Sequence, residues 1–136
     1  MGDERGFTMV ELLVVLVITA VLASIALAQY SEARARAQDR EAMAAARTAH
    51  VALELRHQDE NDYAATREDL FDREPTLRSA RDLRLSTTAE TFELSVESRS
   101  GARGGGRFSI ARDADGRITR SCQNSGHGAC RPGGEW

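Results

Sequence analysis

The sequence predicts an α+β fold in which a long N-terminal helix, half membrane-spanning and half amphipathic, packs against a small antiparallel β-sheet. A 22-residue apolar stretch at 7–28 runs directly into a segment free of Gly and Pro, where apolar residues recur at spacings of three and four. From Glu90 onward the period changes to two, in short runs separated by turn residues. The whole chain has 136 residues, enough for one small domain with a modest core and too few for a large multidomain enzyme.

The first element is the apolar run. From Leu12 the chain reads LLVVLVITAVLASIALA, 17 residues without a charge, and Phe7 to Val10 extend it upstream. As a helix at about 1.5 Å per residue, the stretch from Phe7 to Ala28 spans about 33 Å, enough to cross a bilayer. Glu11 stands inside it, and an ionised carboxylate in hydrocarbon costs on the order of a few kcal/mol unless it is neutralised or paired. A simple anchor does not need it. Either the acid is tolerated near the interface, or it is kept to meet a positive charge supplied by another chain. Ala26-Leu27-Ala28 before Gln29 also matches a secretory cleavage site, but Asp3 and Glu4 oppose Arg5 in the leader, the apolar stretch exceeds an ordinary signal core, and Glu11 interrupts its start.

Residues 29–58 contain no Gly or Pro and are rich in Ala, Arg, Glu and Leu, so the helix should continue. Ala42, Ala46, Ala49 and Leu53, with Ala45 and Val51 beside them, form one apolar stripe, and Arg36, Arg40, Arg47 and Glu54 lie largely off it. His50 and His57 are two turns apart on this helix, a spacing that favours surface or boundary histidines over a metal site. Residues 59–89 read as a connecting loop with a short helix, and Asp59, Glu60, Asp62, Asp69 and Asp72 lack the fixed oxygen spacing of a calcium loop.

Residues 90–136 read as a sheet followed by a cysteine loop. Phe92, Leu94 and Val96, then Phe108 and Ile110, then Ile118 alternate with polar residues as three strands of a meander, and Leu83 and Leu85 are positioned to add an edge strand. Asp113-Ala114-Asp115-Gly116 is the turn before the last strand. Gly101 to Gly106, which includes Arg103 and is flanked by Arg99 and Arg107, reads as a flexible hairpin loop. The only cysteines, Cys122 and Cys130, suit one short-loop disulfide in an oxidising compartment; a zinc ion would find only His127 as a further ligand nearby. A sheet with one apolar face and a helix with one apolar stripe bury both by packing together.

Charge adds exclusions rather than partners. The 18 basic residues are all Arg, spread among 21 acidic ones for a net charge of −3, which gives no dense positive field for a nucleic acid. No nucleophile elbow, phosphate loop or metal motif is present, so neither catalysis nor a cofactor is expected. Arg34, Arg36 and Arg40 after the apolar run would by themselves keep the following part in the cytoplasm, whereas the cysteine pair argues for the opposite side.

Arg5-Gly6-Phe7-Thr8-Met9-Val10-Glu11-Leu12-Leu13, followed by the apolar run and Gln29-Tyr30, resembles the N-terminus of type IV pilins and of the pseudopilins of type II secretion. The close match covers about residues 5–40. The resemblance implies that a prepilin peptidase cuts between Gly6 and Phe7, removing a leader of residues 1–6, and N-methylates Phe7. It implies that Glu11 meets the positively charged terminus of a neighbouring subunit during assembly. The leader would lie in the cytoplasm, with the C-terminal part outside the bacterial inner membrane and, after assembly, in a cell-surface pilus or periplasmic pseudopilus. The implied partners are other pilin subunits, the peptidase and a pilus or type II secretion assembly platform. The expected function is that of a structural pilus subunit, major or minor; a pseudopilin is the near alternative, and a membrane-anchored or Sec-secreted binding module the alternative of another class.

Overall fold

A computed structural model describes residues 7–136, which divide between Ala33 and Arg34 into two units, the second running from Arg34 to Trp136. Gly6, and with it the expected scissile bond, lies outside the described residues. Helix α1, Met9–Glu60, contributes to both units. It ends at Asn61, whose φ of 54° is left-handed and whose N–H donates to His57 O at 2.8 Å, the arrangement by which a residue after the last turn satisfies an orphaned carbonyl.

In the second unit, α1 presents Ala35, Asp39, Ala42, Ala46, Ala49, Ala52 and Leu53 as its buried face. Ala52 takes the place in the stripe expected for Val51, which is 55% exposed. The small alanines let a sheet approach closely, and the bulk of the core comes from the other side. Four antiparallel strands, in the order β1 (Arg84–Thr87), β2 (Phe92–Glu97), β3 (Arg107–Arg112) and β4 (Ile118–Cys122), form that sheet. Leu85, Leu94 and Ile110 lie opposite one another across three strands, as do Val96 and Phe108, so their side chains share one face. Phe92, Leu94, Val96, Phe108 and Ile110 are buried with Leu53, Tyr63, Leu70, Leu77 and Leu83 in a single core; each such side chain contributes about 1.5–3 kcal/mol on leaving water.

The edge strand expected at Leu83 and Leu85 forms: Leu83 is buried and Leu85 pairs with Leu94, so the sheet reaches back into residues 59–89. One expectation needs correction. Ile118 opens β4 but remains 43% exposed: its neighbour across the ladder is Arg112, whose guanidinium stacks 5.2 Å from the Tyr63 ring centre and occupies that corner instead.

Between α1 and β1, helix α2 (Arg67–Arg73) starts with a capping box in which Thr66 Oγ1 accepts Asp69 N–H at 3.2 Å and Asp69 Oδ2 accepts Thr66 N–H at 2.7 Å. A 3₁₀ turn follows at Pro75–Ser79. The acidic residues of this stretch serve the fold: Asp59 and Glu60 pair with Arg73 at 2.9 and 3.4 Å, and Asp72 pairs with Arg78 at 3.2 Å. The Asp113–Gly116 turn closes through Gly116 N–H to Asp113 O at 3.0 Å, with Gly116 at φ 81°, where a glycine is favoured.

Candidate assembly segment

The N-terminal unit begins with a helix start written into its own residues. Thr8 precedes α1, its Oγ1 accepts the Glu11 N–H at 3.2 Å, and its carbonyl accepts the Leu12 N–H at 3.2 Å. Glu11 therefore sits in the first turn, where a carboxylate also favours the positive end of the helix dipole. Among the described residues nothing pairs with its carboxylate. Every residue from Phe7 to Tyr30 is exposed, with Phe7 at 73%. Large apolar side chains occur all around the helix, at Met9, Val10, Leu12, Leu13, Leu16, Val17 and onward to Leu27. The two polar interruptions are satisfied within it: Thr19 Oγ1 donates to Val15 O at 2.9 Å and Ser24 Oγ donates to Val21 O at 2.7 Å. A helix apolar on all sides, with its hydroxyls turned inward to its own backbone, suits lipid or a packed array of like helices, where no water is present to bond them. Its mean hydropathy reaches 2.7 over 18 residues.

The second unit contains a polar centre that sequence reasoning missed. Asp39 is fully buried. Its Oδ1 accepts the hydroxyls of Ser98 and Ser100, each at 2.6 Å; its Oδ2 accepts Gly105 N–H at 2.8 Å and Ala129 N–H at 2.9 Å. Ser98 Oγ in turn accepts Ser100 N–H at 3.2 Å. A buried carboxylate is tolerable only with such a set of donors. Backbone must come close to it, and two glycines permit that. A Cβ at Gly104 would collide with Ser100 and meet Asp39 Oδ1 at 2.5 Å, and one at Gly128, where φ is +56°, would collide with Asp39 Oδ2. The Gly101–Gly106 segment, expected to be a flexible loop, is accordingly tied down: Gly105 N–H bonds Asp39, Ser98 N–H bonds Gly106 O at 2.8 Å, and Asn124 Nδ2 bonds Gly104 O at 3.0 Å. A signal for Asp39 existed in the chain, since Ala35, Asp39, Ala42, Ala46, Ala49 and Leu53 are spaced 4, 3, 4, 3, 4, and one carboxylate stands in an otherwise apolar series.

Cys122 and Cys130 are joined by a disulfide with a Cα–Cα distance of 5.8 Å. The tail after it folds back along β4: Cys122 N–H donates to Gly134 O at 2.7 Å, and Trp136 Nε1 donates to Ser121 O at 2.8 Å while its ring meets Phe108 edge-on. His50 pairs with Glu54 at 3.2 Å, and His57 stacks on Tyr63 with ring centres 4.1 Å apart. Burial raises the Tyr63 phenol above its ordinary range, and its hydrogen bond to Glu54 acts in the same direction. At the opposite corner Asp82 is held below the usual carboxylate range by its hydrogen bonds to Arg84 and then Arg107.

Residues 1–27 match the family model described as the prokaryotic N-terminal methylation motif. This is the type IV prepilin-like signal, and the match covers Gly6, Phe7, Glu11 and nearly all of the apolar run. A comparison with curated proteins gives no significant match. The motif and the exposed apolar helix support a type IV pilin-like or pseudopilin precursor, a class in which the N-terminal helix anchors the subunit in a membrane and then serves a surface or periplasmic filament. Processing by a prepilin peptidase and assembly with other pilin subunits go with that class.

Proposed function

We propose that the chain is a structural, non-enzymatic subunit of a type IV pilus-like filament. Residues 1–6 are the leader, 7–28 the membrane and filament-core helix, 29–58 its amphipathic continuation, 59–89 the connection with the edge strand β1 at its end, and 90–136 the other three strands with the disulfide loop. The prepilin peptidase cleaves Gly6–Phe7 and methylates Phe7. Before assembly the helix crosses the bacterial inner membrane once, with the disulfide-bearing part outside the cytoplasm. Assembly proceeds on a pilus platform by lateral packing of the apolar helices. There the Glu11 carboxylate meets the cationic Phe7 terminus of a neighbouring subunit. In that low-dielectric array the pair attracts far more strongly than in water, and an unpaired Glu11 keeps most of its desolvation penalty, so the contact favours correct docking over misplaced docking.

The observation that carries this reading is the methylation motif at residues 1–27, which runs into the apolar first half of α1, in a stretch where residues 7–30 are all exposed. Intact-mass analysis of the native protein tests it. A mature terminus at N-methyl-Phe7 is expected, and Gly6 replaced by a bulky residue should leave the precursor in the membrane. A native terminus at Gln29 would eliminate the filament reading in favour of a secreted module. Deletion of the gene separates pilus from pseudopilus: loss of surface filaments supports the first, and loss of protein secretion with filaments intact supports the second.

A further inference from the structure

The disulfide and Asp39 meet at one place in the second unit. The bond joins residues eight apart, and inside the loop His127 N–H donates to Asn124 O at 3.1 Å and Cys130 N–H donates to His127 O at 2.9 Å. These turns deliver Ala129, the neighbour of Cys130, to the helix, where its N–H reaches Asp39 Oδ2. The second donor to that oxygen, Gly105 N–H, belongs to the β2–β3 connection, and the same disulfide loop grips that connection. Asn124 N–H donates to Gly105 O at 3.0 Å, and Asn124 Nδ2 donates to Gly104 O at 3.0 Å. Among the described residues, each N–H that reaches Oδ2 is therefore either inside the disulfide loop or held by it.

We propose that Cys122–Cys130 and Asp39 form one redox-dependent latch, in which the disulfide positions the donors that make burial of the Asp39 carboxylate favourable. Closing the latch transfers two electrons and two protons from the Cys122 and Cys130 thiols to a disulfide oxidant, R–S–S–R, which departs as two R–SH while the Sγ–Sγ bond forms; a dithiol reductant reverses the exchange. Cys130 is buried and Cys122 half-buried, so a reducing thiolate attacks Cys122 Sγ and expels Cys130 as the leaving thiolate. With the loop open, Ala129 N–H leaves Oδ2, Gly105 loses the Asn124 grip, and the carboxylate stays buried with donors missing. The C-terminal loop and the β2–β3 connection then release α1 together. The oxidation state of two cysteines is thus felt at a helix residue 90 positions away from Ala129, and the second unit closes fully only in an oxidising space. This inference stands whether or not the chain forms filaments.

Amide hydrogen exchange of the full chain in detergent micelles tests the latch, with and without dithiothreitol. Gly105 is the decisive reporter because it lies outside the disulfide loop. Its amide and that of Ala129 should exchange roughly ten- to hundredfold faster after reduction, the range set by hydrogen bonds to a charged acceptor. A Cys122→Ser/Cys130→Ser variant should show the same rates without reductant. In oxidised Asp39→Ala both amides should already exchange fast, and reduction should change them by less than about threefold, since the two perturbations share one set of bonds. Acceleration confined to residues 122–131, with Gly105 as protected as in the oxidised chain, would overturn the latch; this readout comes from the unmutated protein and does not depend on any variant folding.

Discussion

Replacing Asp39 by Ala removes the acceptor of four hydrogen bonds at a position with no solvent exposure. Each buried donor left without a partner costs about 1–3 kcal/mol. The two serine hydroxyls can rotate to other acceptors, since Ser98 Oγ and Ser100 Oγ lie 2.8 Å apart, but the Gly105 and Ala129 N–H groups point where their backbones aim them. A water entering the vacated space, which is lined with donors, can recover part of this. The net cost should therefore fall at about 2–5 kcal/mol, a large share of the roughly 5–15 kcal/mol that holds a domain together. Asp39→Asn tells charge from shape. Its Oδ1 can take both backbone N–H groups while its Nδ2 donates to serine oxygens that turn from donor to acceptor, so the loss should be about 1–2 kcal/mol. Urea unfolding of the oxidised chain in micelles, followed through the single Trp136 packed on Phe108, gives both values. A loss below about 1 kcal/mol for Asp39→Ala, or an Asn variant as damaged as the Ala variant, would refute the accounting.

Glu11→Ala and Glu11→Gln should leave membrane insertion and the fold of residues 60–136 intact but sharply reduce incorporation into sheared filaments, with Glu11→Asp intermediate because its carboxylate is one methylene short; assembly of Glu11→Ala at the level of the unmutated chain would make the carboxylate incidental. Asp82 and Asp69 both titrate below the usual carboxylate range, the first through Arg84 and Arg107 and the second through the Thr66 N–H and hydroxyl. A depressed folded-state value stabilises above the unfolded-state value of about 3.9 and is lost as pH falls through the folded-state value, so the urea midpoint should fall on acidification below about pH 4, and less steeply in Asp82→Asn. At the end of α1, Asn61 at φ 54° should accept Gly with little change, whereas Asn61→Val should cost about 1–2 kcal/mol from Cβ crowding in the left-handed region, read from the same unfolding curves.

What the chain states locally could be read from it. The apolar run at 12–28 is legible because lipid or helix packing imposes one chemical demand on every residue of such a segment, and Glu11 stands out by breaking it. The helix stripe and the strands Phe92–Val96 and Phe108–Ile110 follow from periods of 3.6 and 2, which are backbone geometry. Cys122 and Cys130 had only each other to pair with. Tertiary structure alone decided the rest. Whether Ile118 is buried depends on Arg112 and Tyr63 taking the corner beside it, and whether Leu85 belongs to the core depends on its finding Leu94. Asp39 is the clearest case. Its partners stand 59, 61, 66 and 90 residues away along the chain, and two of them are backbone amides that carry no side-chain identity at all. A carboxylate in an apolar stripe marks the place, but only loop closure over those separations supplies the donors that make its burial stable.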